Sequence, residues 1–92
     1  YAAVKGGVLA FSKSLARSVA PRVRVNVLAP GWIQTSFGDG LDDETRRKIA
    51  GTTPLERWGT PEDVAGAAVF LASPAAAFLT GQTILVGGGA VM

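Results

Sequence analysis

Cysteine and histidine are both missing from the sequence, and these two absences exclude several kinds of site. Without cysteine the chain has no disulfide, no thiolate nucleophile and no cysteine-based zinc or iron–sulfur site. Without histidine it has no serine–histidine triad and no imidazole ligand, and we expect no metal site. Any acid–base chemistry must therefore come from Tyr, Lys, Asp or Glu side chains or from a bound cofactor.

Charge and long apolar runs are also scarce. Nine Lys and Arg residues against seven Asp and Glu residues give a formal net charge of +2. The one basic run, 46–48, follows directly on acidic residues, so its charge is largely balanced. No apolar run approaches the roughly 20 residues that span a bilayer. We therefore expect neither nucleic acid nor a membrane as a partner, and a cytoplasmic location.

The length and composition indicate a globular chain that forms one small domain or part of a larger one. The chain has 92 residues, of which 48% are hydrophobic and 17% are charged. A chain of this size hides only about three fifths of its unfolded surface on folding, so its core is expected to be small.

The first helical pattern begins at residue 1 without a capping residue and ends at Pro21. Its start without a cap is typical of a helix that has been cut, so we expect the chain to be part of a longer fold. One face repeats apolar residues at helical spacing, namely Val4, Val8, Phe11, Leu15 and Val19. The other face is small, with Ala2, Ala3, Gly6, Gly7, Ala10 and Ser14, and predicts close packing of another backbone.

Two strands and two further helices are predicted after this helix. Alternating valines predict a strand from Val23 that Pro30-Gly31 stops, and 82–86 reads as a second strand covered on both faces. Residues 41–50 form a charged, solvent-facing helix whose acid-to-base order matches the helix dipole. Thr60 caps a helix that ends at Ser73-Pro74, with an expected buried face of Val64, Ala65, Ala68, Val69, Leu71 and Ala72.

Helices that alternate with buried strands predict an α/β fold with a parallel sheet. Two strands do not form an independently stable sheet without substantial cover, so the inventory is expected to be incomplete. The glycines 87–89 follow the second strand, but no helix follows them. They cannot present a helix N-terminus to a pyrophosphate, and we interpret them as a flexible chain end.

Tyr1 and Lys5 are the residues with the clearest chemical potential. They lie four apart on one helix, so their side chains share a face. A phenol has a reference pKa of about 10, and a neighbouring ammonium lowers that pKa, which makes the phenol a usable acid or base. Taken alone, this pair more often means aromatic packing beside a solvated lysine.

Four parts of the sequence, residues 1–16, 22–31, 54–65 with 70–73, and 80–89, carry recognisable patterns. Together they resemble the short-chain dehydrogenase/reductase family, and in particular its 3-oxoacyl-carrier-protein reductases and its sugar or alcohol dehydrogenases. The first resembles the family's active-site helix with its Tyr-x-x-x-Lys motif, and the second resembles its sixth strand and Pro-Gly turn. The third and fourth resemble the following helix and the last strand.

The resemblance implies the C-terminal part of a Rossmann-like doubly wound parallel sheet that lacks the N-terminal dinucleotide-binding half. It implies an NAD- or NADP-dependent oxidoreductase acting on a small carbonyl or alcohol substrate, and a homo-oligomer. Tyr1 would be the general acid/base, and Lys5 would lower the phenol pKa and bind the nicotinamide ribose. Pro30, Gly31, Ile33 and Thr35 would contact the cofactor, with the Ile33 backbone on the nicotinamide carboxamide.

The resemblance also places a substrate lid at about 36–57 within a single partial domain, 1–92. Trp32 and Phe37 would line the substrate pocket, whereas Trp58 is expected to pack beneath the following helix. Gly87 stands where many family members carry Asp or Asn, and nothing resembles the family's Gly-rich phosphate loop or catalytic Ser. The alternative is a non-catalytic remnant that acts only as an oligomerising interaction module.

Overall fold

The structure is a computed structural model that describes residues 2–35 and 39–90. Tyr1 and Phe37, both expected in the site, lie outside the described residues. The elements follow the predicted order: α1 (Ala2–Val19), β1 (Val27–Pro30), α2 (Asp43–Gly51), α3 (Pro61–Ala72), a 3₁₀ turn (Pro74–Ala76) and β2 (Thr83–Val86). Within these ranges, no helix combines the length and apolarity needed to cross a membrane.

The fold is α/β, and its sheet is parallel as predicted. β1 and β2 pair in register from Val27 opposite Thr83 to Pro30 opposite Val86. The ladder continues past the strands, because the Gly31 N–H donates to the Val86 carbonyl over 3.0 Å. α3 contacts both strands and is part of the connection between them.

The first strand is shorter at its start than the valine alternation predicts. It begins at Val27 rather than Val23 and includes Pro30. Residues 23–26 run beside the loop before β2. There, side-chain groups take the place of some of the main-chain groups that would pair with the segment in a strand. The Gly81 N–H donates to the Val25 carbonyl over 2.7 Å, but the Val25 N–H donates to the Thr80 hydroxyl over 3.1 Å.

Arg24 and Asn26 tie this segment to α3 and to the loop before β2. The Arg24 guanidinium donates to the Leu71 carbonyl in the last turn of α3 over 2.8 Å and to the Leu79 carbonyl over 3.2 Å. The Asn26 amide donates to Leu79 over 3.0 Å and accepts from the Gln82 N–H over 3.1 Å. Arg24 thus supplies a cation to the C-terminus of a helix whose own last turn has none.

The start of α3 is built as its sequence predicts, whereas α2 begins at Asp43 rather than at residue 41. Thr60 accepts from the Asp63 N–H, and the Asp63 side chain accepts from the Thr60 N–H, which completes a capping box with Pro61 at the first helical position. Asp42 caps α2 by accepting from the Thr45 N–H over 2.7 Å. The Glu44–Lys48 pair forms at 3.6 Å, and α2 buries no residue, in agreement with a solvent-facing helix.

The predicted buried faces are largely exposed. α3 buries no residue, and Val69 is 69% exposed, so the expectation of a wide buried face on this helix is wrong for the described chain. The apolar stripe of α1 is also exposed, including Val4 at 70% and Phe11 at 67%. Among the described residues outside α1 itself, nothing lies within 4 Å of a Cβ built at Gly6 or Gly7. Two short strands offer too little surface to cover both helices, and the described core is confined to Ala16, Trp58 and Ala76.

Replacing Arg24 with alanine should lower the free energy of unfolding by about 2 kcal/mol, because two part-buried carbonyls lose a charged donor. Arg22→Ala is the matched control, since this exposed neighbour lies in the turn after α1 and should change stability by no more than about 0.5 kcal/mol. Urea unfolding followed by circular dichroism measures both. Equal effects of the two substitutions would contradict the role of Arg24.

Candidate functional site

The site is built where the chain leaves β1. Residues 31–35 continue from the strand and run parallel to a second segment, 57–60, that leads into α3. The two segments form a single parallel bridge between Ile33 and Gly59. The Gly59 N–H donates to the Trp32 carbonyl over 2.8 Å, and the Gln34 N–H donates to the Gly59 carbonyl over 2.9 Å.

This bridge determines which way the Ile33 main chain faces. In a parallel bridge one residue bonds through both its N–H and C=O to the two neighbours of its partner. Gly59 is the residue that does so here, so the N–H and C=O of Ile33 point away from Gly59. Neither group has a hydrogen-bond partner within residues 2–35 and 39–90. Ile33 therefore presents a donor and an acceptor side by side.

A groove of about 440 Å³ lies beside this segment. Its walls are mostly apolar and come from the end of β1, from the run after it and from the start of α3. The lining residues are Pro30, Gly31, Trp32, Ile33, Thr35, Trp58 and Val64. The structure thus brings together all four cofactor-contact residues predicted after β1 and one of the two predicted substrate residues.

Trp58 is the most deeply buried large side chain of the site, at 7% exposure. Its indole Nε1 donates to the Arg46 carbonyl over 3.0 Å, and the Arg46 guanidinium carbon lies 5.2 Å from the ring centroid. Trp32 meets it edge-on, with ring centroids 5.7 Å apart. We expected Trp58 to pack beneath the helix that follows it, and it lines the groove together with Val64 of that helix. Its indole N–H, which needs an acceptor when buried, finds one on α2, the helix that precedes it.

Arg57 and Asp63 fix the same segment from its other end. Arg57 Nη1 lies 2.8 Å from Asp63 Oδ2 and also donates to the Trp58 carbonyl over 3.0 Å. The Arg57 guanidinium, and after it the Thr60 N–H, hold the pKa of Asp63 well below its usual range. Asp63 in turn raises the pKa of Arg57. Segment 57–60 is thus attached to α3 through a carboxylate that stays ionised.

A second cavity, of about 290 Å³, lies where Arg57 and Gly59 face the end of β2. Gly87 and Gly88 also line this second cavity. Gly88 has φ 62° and Gly89 has φ 91°, and an added Cβ on Gly88 would lie 2.7 Å from the Thr53 methyl carbon. The interpretation of residues 87–89 as a flexible chain end is therefore wrong for Gly88 and Gly89, which form a close turn that only glycine fits.

Lys5 is placed apart from the groove. It is half-buried on α1 and is not among the residues that line either cavity. Its predicted partner Tyr1 and the predicted substrate residue Phe37 lie outside the described residues. In the part of the chain that the structure describes, no three Asp or Glu residues come close enough to hold a metal ion.

Sequence reasoning missed Gly59, Arg57 and Asp63 as parts of the site. Asp63 stands in the first turn of a helix, where acidic residues are common, and a lone glycine before a helix cap reads as an ordinary loop residue. The pairing of Gly59 with Ile33 joins residues far apart in sequence, so no local sequence pattern predicts it.

Comparison with known proteins gives consistent matches over the whole chain. A family model described as enoyl-(acyl carrier protein) reductase matches residues 1–91. The 3-oxoacyl-[acyl-carrier-protein] reductase of Vibrio harveyi is 50% identical over 93 residues, which cover 100% of this chain and 38% of that protein. The reductase of the same name from Chlamydia pneumoniae is 51% identical over 90 residues, which cover 97% of this chain and 36% of that protein.

Two solved structures from Brucella melitensis share the arrangement of helices and strands. One is a short-chain dehydrogenase/reductase described as glucose/ribitol dehydrogenase, with a TM-score of 0.90, and the other is a 3-oxoacyl-[acyl-carrier protein] reductase, with a TM-score of 0.91. Both are 41% identical and cover 100% of this chain, but only 38% and 35% of the respective matched chains. The chain thus spans little more than a third of the length of these relatives.

Replacing Asp63 with asparagine should remove a pH-dependent part of the stability. The pKa of Asp63 is lower in the folded chain than its unfolded value of about 3.9, so its contribution is fully present above about pH 5 and is lost as the pH falls toward 2. The variant should be less stable than the parent at pH 7 and nearly equal to it at low pH. Urea midpoints measured across this range test the expectation.

Glu62→Gln is the control for this titration, because it removes an exposed carboxylate from the same helical turn. Its difference from the parent chain should stay small at every pH. A constant gap between the Asp63→Asn chain and the parent from pH 7 to low pH would contradict the ion pair's role.

Proposed function

The chain belongs to the short-chain dehydrogenase/reductase family, and from that premise we propose that it forms the substrate-side part of an NAD- or NADP-dependent oxidoreductase. The reaction is hydride transfer between the nicotinamide and a carbonyl or hydroxyl carbon of a small substrate. β1 and β2 would belong to a doubly wound parallel sheet, and the dinucleotide-binding half would come from the remainder of a longer polypeptide. Ligands of such sheets bind beyond the carboxyl ends of the strands, which is where the groove lies.

One observation carries the cofactor proposal: the unpartnered N–H and C=O of Ile33 lie on the side away from Gly59. A nicotinamide carboxamide has one acceptor oxygen and one NH₂ donor on the same small group, so it matches this pair with two hydrogen bonds. The neighbouring groove is lined by Ile33 but not by Gly59. Thr35 adds a hydroxyl to the same wall, and the apolar surface of Pro30 and Trp32 suits a flat ring.

Tyr1 and Lys5 complete the proposed chemistry. The bound dinucleotide supplies or accepts the hydride. The Tyr1 hydroxyl gives a proton to the substrate oxygen as a carbonyl is reduced, and takes it back in the reverse direction. The Lys5 ammonium, four residues further along the sequence, would favour the phenolate that this leaves and would hold the nicotinamide ribose. Both roles follow from the Tyr-x-x-x-Lys resemblance.

We assign the substrate pocket to Trp32 and Phe37, with a lid formed by residues 36–57. Trp32 supports this assignment because it lines both cavities and its ring meets Trp58, which is hydrogen-bonded to α2 inside the lid segment. A substrate that enters beside Trp32 is therefore close to elements of the lid. The relatives' names point to a 3-oxoacyl thioester as the first substrate to test.

Reduction of an enoyl thioester is the second candidate reaction, because the matching family model carries that description. The two reactions differ in where the hydride and proton add. A ketone needs a proton donor at the carbonyl oxygen, which is the role assigned to Tyr1. Turnover of a 2-enoyl thioester without turnover of a 3-oxoacyl thioester would favour the second candidate.

A hybrid protein tests the catalytic residues directly. In it, these 92 residues replace the matching segment of the Vibrio harveyi reductase, which they cover in full. Tyr1→Phe should lower kcat by about two to four orders of magnitude while the affinity for NADH or NADPH stays unchanged. Lys5→Met should be comparably severe and should also weaken cofactor binding.

Lys13→Met is the matched control for this experiment, since it removes an exposed lysine two turns further along α1. It should leave both turnover and cofactor affinity near those of the unsubstituted hybrid. Near-normal turnover by the Tyr1→Phe hybrid would refute the assignment of Tyr1 as the acid/base.

Homo-oligomer formation through α1 is a further part of the proposal, and it is shared with the non-catalytic alternative. The exposed stripe of Val4, Val8, Phe11 and Leu15 supports it, because a continuous apolar face on one helix favours association. Phe11→Asp should therefore reduce self-association of the 92-residue chain, measured by analytical ultracentrifugation over a concentration series. Phe78→Asp is the control, since Phe78 is fully exposed elsewhere. Equal effects of the two substitutions would argue against α1 as the interface.

A further inference from the structure

Gly59 lies closer to the end of the Ile33 side chain than a residue with a Cβ could lie while Ile33 keeps its present conformation. A Cβ built on it would fall 2.6 Å from Ile33 Cδ1, and 3.6 Å from both the Trp32 carbonyl oxygen and Asp63 Oδ2. The first distance is shorter than carbon atoms tolerate, so the Ile33 side chain must turn or one of the two residues must move. The conformation of Ile33 beside the groove therefore depends on the missing side chain.

The backbone conformation of Gly59 does not explain the glycine. The glycines with positive φ in the described residues are Gly81, Gly88 and Gly89, and Gly59 is not one of them. An alanine can therefore adopt its φ without strain, and the constraint at this position is one of space alone. This separates Gly59 from Gly88, where both conformation and space require glycine.

Gly59 also cannot retreat to make room for a side chain. On one side, Trp58 is buried and its indole is hydrogen-bonded to Arg46. On the other side, Thr60 begins the capping box with Asp63, and Asp63 is paired with Arg57. Because both neighbours are fixed, an added Cβ must be accommodated by Ile33. Ile33 would turn its Cδ1 into one of the two cavities that it lines or shift its main chain outward.

We infer that Gly59 is a positioning residue for nicotinamide binding: it leaves the space that Ile33 fills and so sets where the Ile33 N–H and C=O face the groove. The inference rests on the proposed function, in which these two groups bind the carboxamide. Gly59 touches no ligand in this role and acts only through Ile33. The hydrogen bonds from Gly59 to Trp32 and from Gln34 to Gly59 hold the side of segment 31–35 that faces Gly59. The opposite side, which carries the Ile33 N–H and C=O, therefore keeps one orientation.

The cofactor experiment uses the hybrid protein and direct binding by calorimetry. Gly59→Ala should raise the Kd for the preferred dinucleotide by about 10-fold, which corresponds to the loss of one to two hydrogen bonds. Adding Ile33→Val removes the Cδ1 that the new Cβ meets, and the double variant should recover most of the affinity. Gly66→Ala is the matched control, because nothing lies within 4 Å of a Cβ at that position.

A cofactor analogue separates positioning from loss of stability. The 3-acetylpyridine dinucleotide replaces the carboxamide NH₂ with a methyl group and cannot donate to the Ile33 carbonyl. Gly59→Ala should weaken its binding by clearly less than it weakens binding of the natural cofactor. A variant that was only less stable would bind both dinucleotides with the same loss.

The 92-residue chain provides a readout that needs no cofactor. Amide exchange followed by NMR should show the Gln34 N–H protected by its bond to Gly59 and the Ile33 N–H unprotected. Gly59→Ala should shift the resonances of Ile33 and Gln34, and Ile33→Val should reverse the shift, whereas Gly66→Ala should leave both unchanged.

The two proposals fail in different ways. If the unsubstituted hybrid binds neither NADH nor NADPH, the proposed function is wrong. If it binds one of them and Gly59→Ala keeps the Kd within about twofold, or if the Ile33 resonances of the chain do not respond to Gly59→Ala, the positioning role is wrong.

Discussion

The short parallel pairing between Ile33 and Gly59 is the interaction on which the candidate site depends. It joins residues 31–35, which follow β1, to residues 57–60, at the point where the chain would otherwise leave the sheet as an unsupported loop. It brings the start of α3 against the run after β1, and the groove forms where Val64 and Trp58 meet Pro30 to Thr35. Because Gly59 uses both of its main-chain groups in this pairing, those of Ile33 have no partner among the described residues.

The features predicted from the sequence are those decided by neighbours within about four residues. Thr60 was predicted to cap α3, and the structure shows it doing so, within a capping box that Asp63 completes. The end of β1 at Pro30-Gly31 predicted a candidate site there, because ligands of parallel sheets bind beyond strand ends, and the structure has a groove at this place. The roles proposed for Tyr1 and Lys5 came from the resemblance to a family, since their spacing alone is common.

The features that the sequence did not predict depend on partners far along the chain. The strand pattern from Val23 is correct as extended chain, but the hydroxyl of Thr80 and the amide of Asn26 take the place of main-chain partners there. The apolar residues of α3 match a buried helix, yet burial also requires a covering surface, which the described chain does not supply. The close approach of Gly59 to Ile33 is set by Trp58 and the capping box together. The glycine alone therefore did not predict this contact.

The two strands of the sheet are neighbours in space but are separated by α2 and α3 in the chain. No hairpin can nucleate such a sheet, because every hydrogen bond between β1 and β2 closes a loop of about 56 residues, and the entropy of that closure must be overcome before the first bond forms. The helices need no such closure. Folding of this chain is therefore governed by a nonlocal step, of the kind that slows parallel α/β topologies relative to helical bundles of the same size. The hydrogen bonds of Arg24 and Asn26 also connect residues that are far apart in the chain, so we expect them to form in the same step.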